Sequence, residues 1–119
     1  MYNNVPVYTT YPDLICINIG FNDGTFTSSD FTDAYAVLVD WLHGEYPGVI
    51  IVCINPFGYN QPRATEIQSV VSTRPWCKYI STSGWTYTTS DGTHPDVAGA
   101  ESLGIRLAGA IDDIIYESE

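Results

Sequence analysis

Leu14-Ile15-Cys16-Ile17-Asn18-Ile19 is an almost unbroken run of apolar, mostly β-branched side chains, closed by Gly20. A strand with one wet face alternates apolar and polar residues. A run without that alternation has to be covered on both faces, the situation of a strand in a parallel sheet flanked by helices. Val49 to Ile54 repeats the pattern, and Trp76 to Ile80 is a shorter third version. Between and after these runs the apolar spacing becomes helical. Phe31, Ala34, Tyr35, Leu38, Trp41 and Leu42 recur at three- and four-residue steps behind a choice of N-caps at Thr27, Ser28, Ser29 and Asp30, and Gly44 with Pro47-Gly48 stops them. Ile67, Val70 and Val71 mark a shorter amphipathic helix ended by Arg74-Pro75. Ala100, Leu103, Leu107, Ile111 and Ile114 mark the last one. Strand and helix alternate along the chain, which predicts an α/β fold with a parallel sheet and right-handed crossovers.

Composition bounds the rest. At 119 residues the chain is one domain, 1–119, with room for a modest core. Hydrophobic residues at 45% exclude a disordered chain. A formal net charge of −10 repels phosphate backbones and anionic lipid, so neither nucleic acid nor membrane is an expected partner. Cys16, Cys53 and Cys77 are odd in number, sit among apolar residues and lack CxxC spacing, so buried free thiols are expected and no zinc site. With only two histidines and no His-x-x-x-His spacing, no other metal is expected either. No stretch approaches the roughly 18 apolar residues of a membrane span, and no charged-then-apolar leader follows Met1. A soluble protein of open compartment is the expectation.

Two polar islands stand out against this scaffold, Gly20-Phe21-Asn22-Asp23 after the first strand and Asp91-Gly92-Thr93-His94-Pro95 before the last helix. In an open α/β sheet the ligand crevice lies beyond the carboxyl ends of the strands, so both islands should face one edge. A histidine held by an aspartate three residues earlier can take a proton from a hydroxyl, and an asparagine amide can donate to a developing oxyanion. Together they suggest acyl transfer. Pro95 suits the first turn of the helix that follows. Asn22-Asp23-Gly24 could also be a plain turn, and Asp91 with His94 a brace at a helix start; position after a buried strand and the pairing of the islands favour the chemical reading. His43, near the end of the Phe31 helix, suits the helix dipole better than a ligand role. Trp85 and Tyr87 could line an acyl or sugar pocket or pack beneath a long loop. Among Ser28, Ser29, Ser81, Ser83 and Ser90, Ser90 adjoins Asp91 and is the least implausible substitute nucleophile, and loop polarity explains it more simply.

These two blocks resemble those of the SGNH (GDSL-type) hydrolases. Pro12-Asp13-Leu14 through Asn22-Asp23 is similar to that family's Gly-x-Asn-Asp block with its preceding strand, and Asp91 to Pro95 is similar to its Asp-x-x-His-Pro block. Ala34-Tyr35 and Tyr46-Pro47-Gly48 look most like the carbohydrate acetyl esterase branches. The resemblance covers Pro12 to Ile111. It implies a three-layer α/β/α, flavodoxin-like fold truncated at its N-terminus, with His94 as general base, Asp91 as its orienting carboxylate and Asn22 as the oxyanion-hole amide. Gly20 would permit the close turn and Asp23 would brace the loop. Apart from the resemblance, Phe21 joins Trp85 and Tyr87 as a candidate for lining the pocket. The resemblance implies no cofactor and no metal. The expected substrate is a small acyl ester or an acetylated carbohydrate. The family's Gly-Asp-Ser nucleophile block has no counterpart here. The function expected is therefore an SGNH-type serine esterase whose nucleophile lies outside this chain, or else an incomplete SGNH-like binding or structural domain.

The missing neighbour has a structural corollary. The Leu14 to Ile19 strand would present an unpaired apolar edge, and such edges pair with other chains. A homodimer joined there is expected, or a covering edge formed by Val5 to Thr9.

Overall fold

The computed structural model describes residues 10–57 and 62–118. Six elements alternate: β1 (Leu14–Ile17), α1 (Ser28–Glu45), β2 (Ile50–Ile54), α2 (Ala64–Ser72), β3 (Cys77–Ile80) and α3 (Val97–Ser118). The strands form one parallel sheet in the order β1-β2-β3, with Ile15 opposite Ile51 and Ile51 opposite Cys77. The fold is thus the α/β alternation that the three apolar runs predict. Val5 to Thr9 lie outside the described residues.

Strand periodicity divides the sheet between two cores. Ile17, Ile51, Cys53 and Cys77 turn to one face, where they meet Phe31, Tyr35 and Val39 of α1 and Ile67 and Val70 of α2. Val52, Ile54 and Ile80 turn to the other, packed by Leu107, Ala110, Ile111 and Ile114 of α3 and by Trp85. Central β2 is covered on both faces: Ile51, Val52 and Cys53 are fully buried and Ile54 nearly so. Burial of each large aliphatic side chain there contributes about 1.5–3 kcal/mol.

Local chemistry sets the helix ends. Thr27 Oγ1 accepts the Asp30 N–H at 3.0 Å and caps α1. That helix runs on through Gly44 to Glu45, where Tyr46 N–H reaches back to the Leu42 carbonyl before Pro47 and a left-handed Gly48. Arg74 then ties the end of α2 to α1 through a two-pronged pair with Asp40, at 2.7 and 3.0 Å. His43, in the last turn of α1, stacks flat on Trp76 with ring centroids 4.0 Å apart. Its place is that of a packed aromatic at a helix C-terminus.

β1 departs from its expectation of burial on both faces. Ile17 is buried, but Leu14 and Ile15 are only partly covered, Cys16 is exposed and Ile19 is 45% exposed. The reason is where α3 lies. Its apolar stripe packs against Val52, Ile54 and Ile80, and of β1, at the sheet margin, only Leu14 joins that cluster, which leaves Cys16 uncovered; Ile19 lies past the end of β1, on a groove it shares with Phe31 and Leu38 of α1. Cys53 and Cys77 are buried free thiols as expected, whereas Cys16 is a free thiol on the uncovered side. Among the described residues, no helix is long and apolar enough to cross a membrane, and no group of three or more His, Cys, Asp or Glu could hold a metal ion.

Candidate active site

The three strand exits build the site. At the end of β1 the chain turns sharply at Gly20, which has φ +121°. A Cβ there would stand 3.1 Å from the Phe31 ring and 3.4 Å from Pro56, so only glycine lets the loop pass between α1 and the β2 exit. Phe21, Asn22 and Asp23 follow directly. At the end of β2 lie Asn55, Pro56 and Phe57. Thr82, after β3, donates its hydroxyl to the carbonyls of Asn55 (3.1 Å) and Pro56 (3.3 Å), which locks the second and third exits together.

The loop from β3 to α3 is fastened at its base. Asp96 is the N-cap of α3: its Oδ1 accepts the Gly99 N–H at 2.7 Å and the Thr88 hydroxyl at 2.6 Å, and its own N–H donates to the Thr88 carbonyl. These bonds hold the Asp96 carboxyl below its ordinary value, the Thr88 hydroxyl first and the Gly99 N–H next. A side chain on Gly99 would collide with that Thr88 carbonyl. Pro95 makes a bridge to Thr89 and precedes this cap, so α3 starts two residues later than a proline in its first turn would require.

Above the fastening sits the histidine. Asp91 Oδ2 lies 2.6 Å from His94 Nδ1, while Oδ1 accepts the backbone N–H groups of His94 (2.7 Å) and Thr93 (2.9 Å). The contact with the His94 ring, followed by these two N–H groups, holds the Asp91 carboxyl well below the usual carboxylate range. With Nδ1 engaged, Nε2 is the ring nitrogen left for chemistry. The ring is 79% exposed, and Tyr87 steadies the loop by donating its hydroxyl to the Thr93 carbonyl.

Both islands open onto one cleft of about 450 Å³, whose lining includes Gly20, Phe21, Asn22 and Asp23 from one side and Tyr87 and His94 from the other. The sequence-predicted residues divide accordingly. Asn22 and His94 share the cleft, with Asp91 behind the histidine; Gly20 makes the turn. Asp23 braces its loop through the backbone, its N–H to the Gly20 carbonyl and its carbonyl to Arg63. Tyr87 lines the cleft, while Trp85 packs into the core with Ile80 and α3, its ring beneath Arg106. Sequence reasoning missed Asn18, Pro56 and Phe57 in the lining. The topological rule that found the first and third exits applies equally to the second. Ser28, Ser29, Ser81, Ser83 and Ser90 are absent from the lining, and among the described residues its only hydroxyls are those of Tyr87 and Thr93.

No family model matches the chain, and no curated protein or solved structure matches it either. Fold and cleft therefore define an α/β protein with a parallel three-stranded sheet and a histidine–carboxylate pair at its strand exits.

Proposed function

We propose that the chain is the histidine- and asparagine-bearing part of an SGNH-type esterase of three-layer, flavodoxin-like architecture, acting on a small acyl ester such as an acetylated carbohydrate. The observation that carries this reading is that Asn22 and His94 line one cleft while Asp91 holds His94 Nδ1 at 2.6 Å. In this mechanism His94 Nε2 removes the proton of an attacking hydroxyl, Asp91 stabilises the imidazolium that results, and the Asn22 amide donates to the oxyanion as the acyl carbon becomes tetrahedral. Collapse of that intermediate returns the proton from His94 to the leaving oxygen.

The attacking serine comes from outside this chain. Support lies just past the end of β1, where an apolar groove of about 370 Å³, lined by Phe26 and by Phe31, Tyr35 and Leu38 of α1, shares Ile19 and Asp23 with the cleft. A segment seated in this groove would pass Ile19 and Asp23, which also line the cleft. The exposed Cys16 and Ile19 fit a strand that has more protein beside it.

Hydrolysis of 4-nitrophenyl acetate tests the reading, since an activated ester lets a histidine with water act without the serine. The chain should exceed its His94→Ala variant; equal rates would remove the enzyme reading for the chain alone. The lack of serine in the described lining favours a second reading, a binding domain that kept the cleft without the chemistry. It predicts ester or acetyl-sugar binding that shifts the Asn22 and His94 NMR signals with no turnover.

A further inference from the structure

The loop that presents Asn22 holds itself weakly. Its internal backbone hydrogen bonds, Asp23 N–H to the Gly20 carbonyl and Phe26 N–H to the Asp23 carbonyl, are long at 3.4 and 3.2 Å, and Phe21, Asn22 and Phe26 are exposed. Its firm attachment comes from the start of α2. Arg63 Nη2 donates to the Asp23 carbonyl at 2.5 Å and to the Phe26 carbonyl at 2.7 Å, and Nη1 donates to Glu66 Oε2 at 2.8 Å. The guanidinium lies 4.9 Å from the centroid of the Phe31 ring, the ring that also limits Gly20. The Arg63 side chain is 10% exposed, so these charge-assisted bonds are little screened by solvent.

The backbone supplies an independent observation. Arg63 has φ +67°, and it is the sole non-glycine residue with positive φ among the described residues. Glycine occupies that region freely and arginine does not. Strain of this kind persists where the surroundings gain from the side chain it carries.

We propose that Arg63 is a positioning residue for the cleft, clamping the Asn22 loop to α1 and α2 so that the Asn22 amide stays opposite His94. This rests on the reading of Asn22 as the oxyanion donor. Arg63 is not part of the cleft lining and acts only through the two carbonyls it holds.

Arg63→Gly is the informative variant, because glycine relieves the backbone strain while deleting the guanidinium. In the full chain, amides of residues 22–26 should exchange at least about tenfold faster while the β2 amides keep their protection. His94-dependent hydrolysis of 4-nitrophenyl acetate should fall by about tenfold with its pH profile unmoved. Guanidinium ion at millimolar, non-denaturing concentration should restore part of both, which a purely structural role would not allow. Unchanged loop exchange overturns the proposal, and so does a loosened loop with an unchanged rate. Absence of His94-dependent hydrolysis in the parent chain removes the esterase reading instead. The clamp is then decided by amide exchange alone: faster exchange of residues 22–26 in Arg63→Gly upholds it and unchanged exchange overturns it.

Discussion

Asp91 grips His94 twice, with Oδ2 2.6 Å from the ring Nδ1 and Oδ1 accepting the backbone N–H of the same residue at 2.7 Å. One carboxylate thereby fixes both the position of the residue and the rotation of its ring. Asp91→Asn keeps the shape but loses the charge that stabilises an imidazolium, and His94-dependent ester hydrolysis should drop by about 10²-fold or more. Because these contacts keep the Asp91 carboxyl ionised well into acid, Asp91 itself should contribute no inflection to the parent's rate profile above about pH 5. An acid inflection above that pH that is present in the parent and absent from Asp91→Asn would place Asp91 ionisation in the working range and contradict the assignment.

Four carboxyls are held low in the folded chain: Asp40 by Arg74, Glu66 by Arg63, Asp91 by His94 and Asp96 by Thr88. The unfolded chain lacks these partners and takes up protons first, at about 3.9 for Asp and 4.3 for Glu. The stability they give is present above those values and is lost as pH falls through the folded ones. Thermal midpoints should therefore decline steeply below about pH 4. Asp40→Asn, at a half-exposed pair, should cost no more than about 1 kcal/mol at neutral pH and flatten the acid slope. Calorimetry across this range checks both.

Gly99→Ala should be costly for its size. Its methyl group would strike the Thr88 carbonyl, and overpacking of this kind costs about 1–3 kcal/mol. The Thr88 to Asp96 fastening should part with it, visible as faster exchange of the Asp96 amide. A neutral substitution would mean that the loop yields freely.

Substrate charge is a further point of test. All four basic residues are absent from the cleft lining: Arg63 holds the Asp23 loop, Arg74 pairs with Asp40, Arg106 lies over Trp85 and Lys78 is exposed on β3. Asp23 lines the cleft and Asp91 stands behind His94. An uncharged acetyl ester should be processed about tenfold or more faster than a hemisuccinate ester of the same leaving group. The gap should narrow with added salt, and equal rates would exclude electrostatic selection.

Taken by itself, the chain should cover its β1 margin with a second copy. Sedimentation should show concentration-dependent dimers, and Ile19→Lys should shift them towards monomer. A clean monomer in which the Leu14 to Ile17 amides exchange rapidly would refute this.

Much of this architecture can be read from residue order. The unalternating strands, the helical stripes and the turn chemistry each reflect local physics, and the rule that strand exits converge brings Asn22 and His94 together. What escaped has equally definite causes. The exposure of Cys16 depends on which strands α3 happens to cover, a tertiary fact with no local signal. The start of α3 after Asp96, and not with Pro95 in its first turn, turns on a side-chain bond to Thr88, eight residues upstream. Arg63 lies 40 residues from the carbonyl it holds, and no periodicity or motif marks it.

The Thr88 to Asp96 fastening has a consequence in entropy. By joining two residues eight apart in sequence, it turns the exposed path to α3 into a short closed ring that contains His94. Freedom that a longer open loop would surrender only on meeting a ligand is here surrendered during folding. The imidazole is correspondingly ready before anything enters the cleft, and its high exposure reflects access more than slackness.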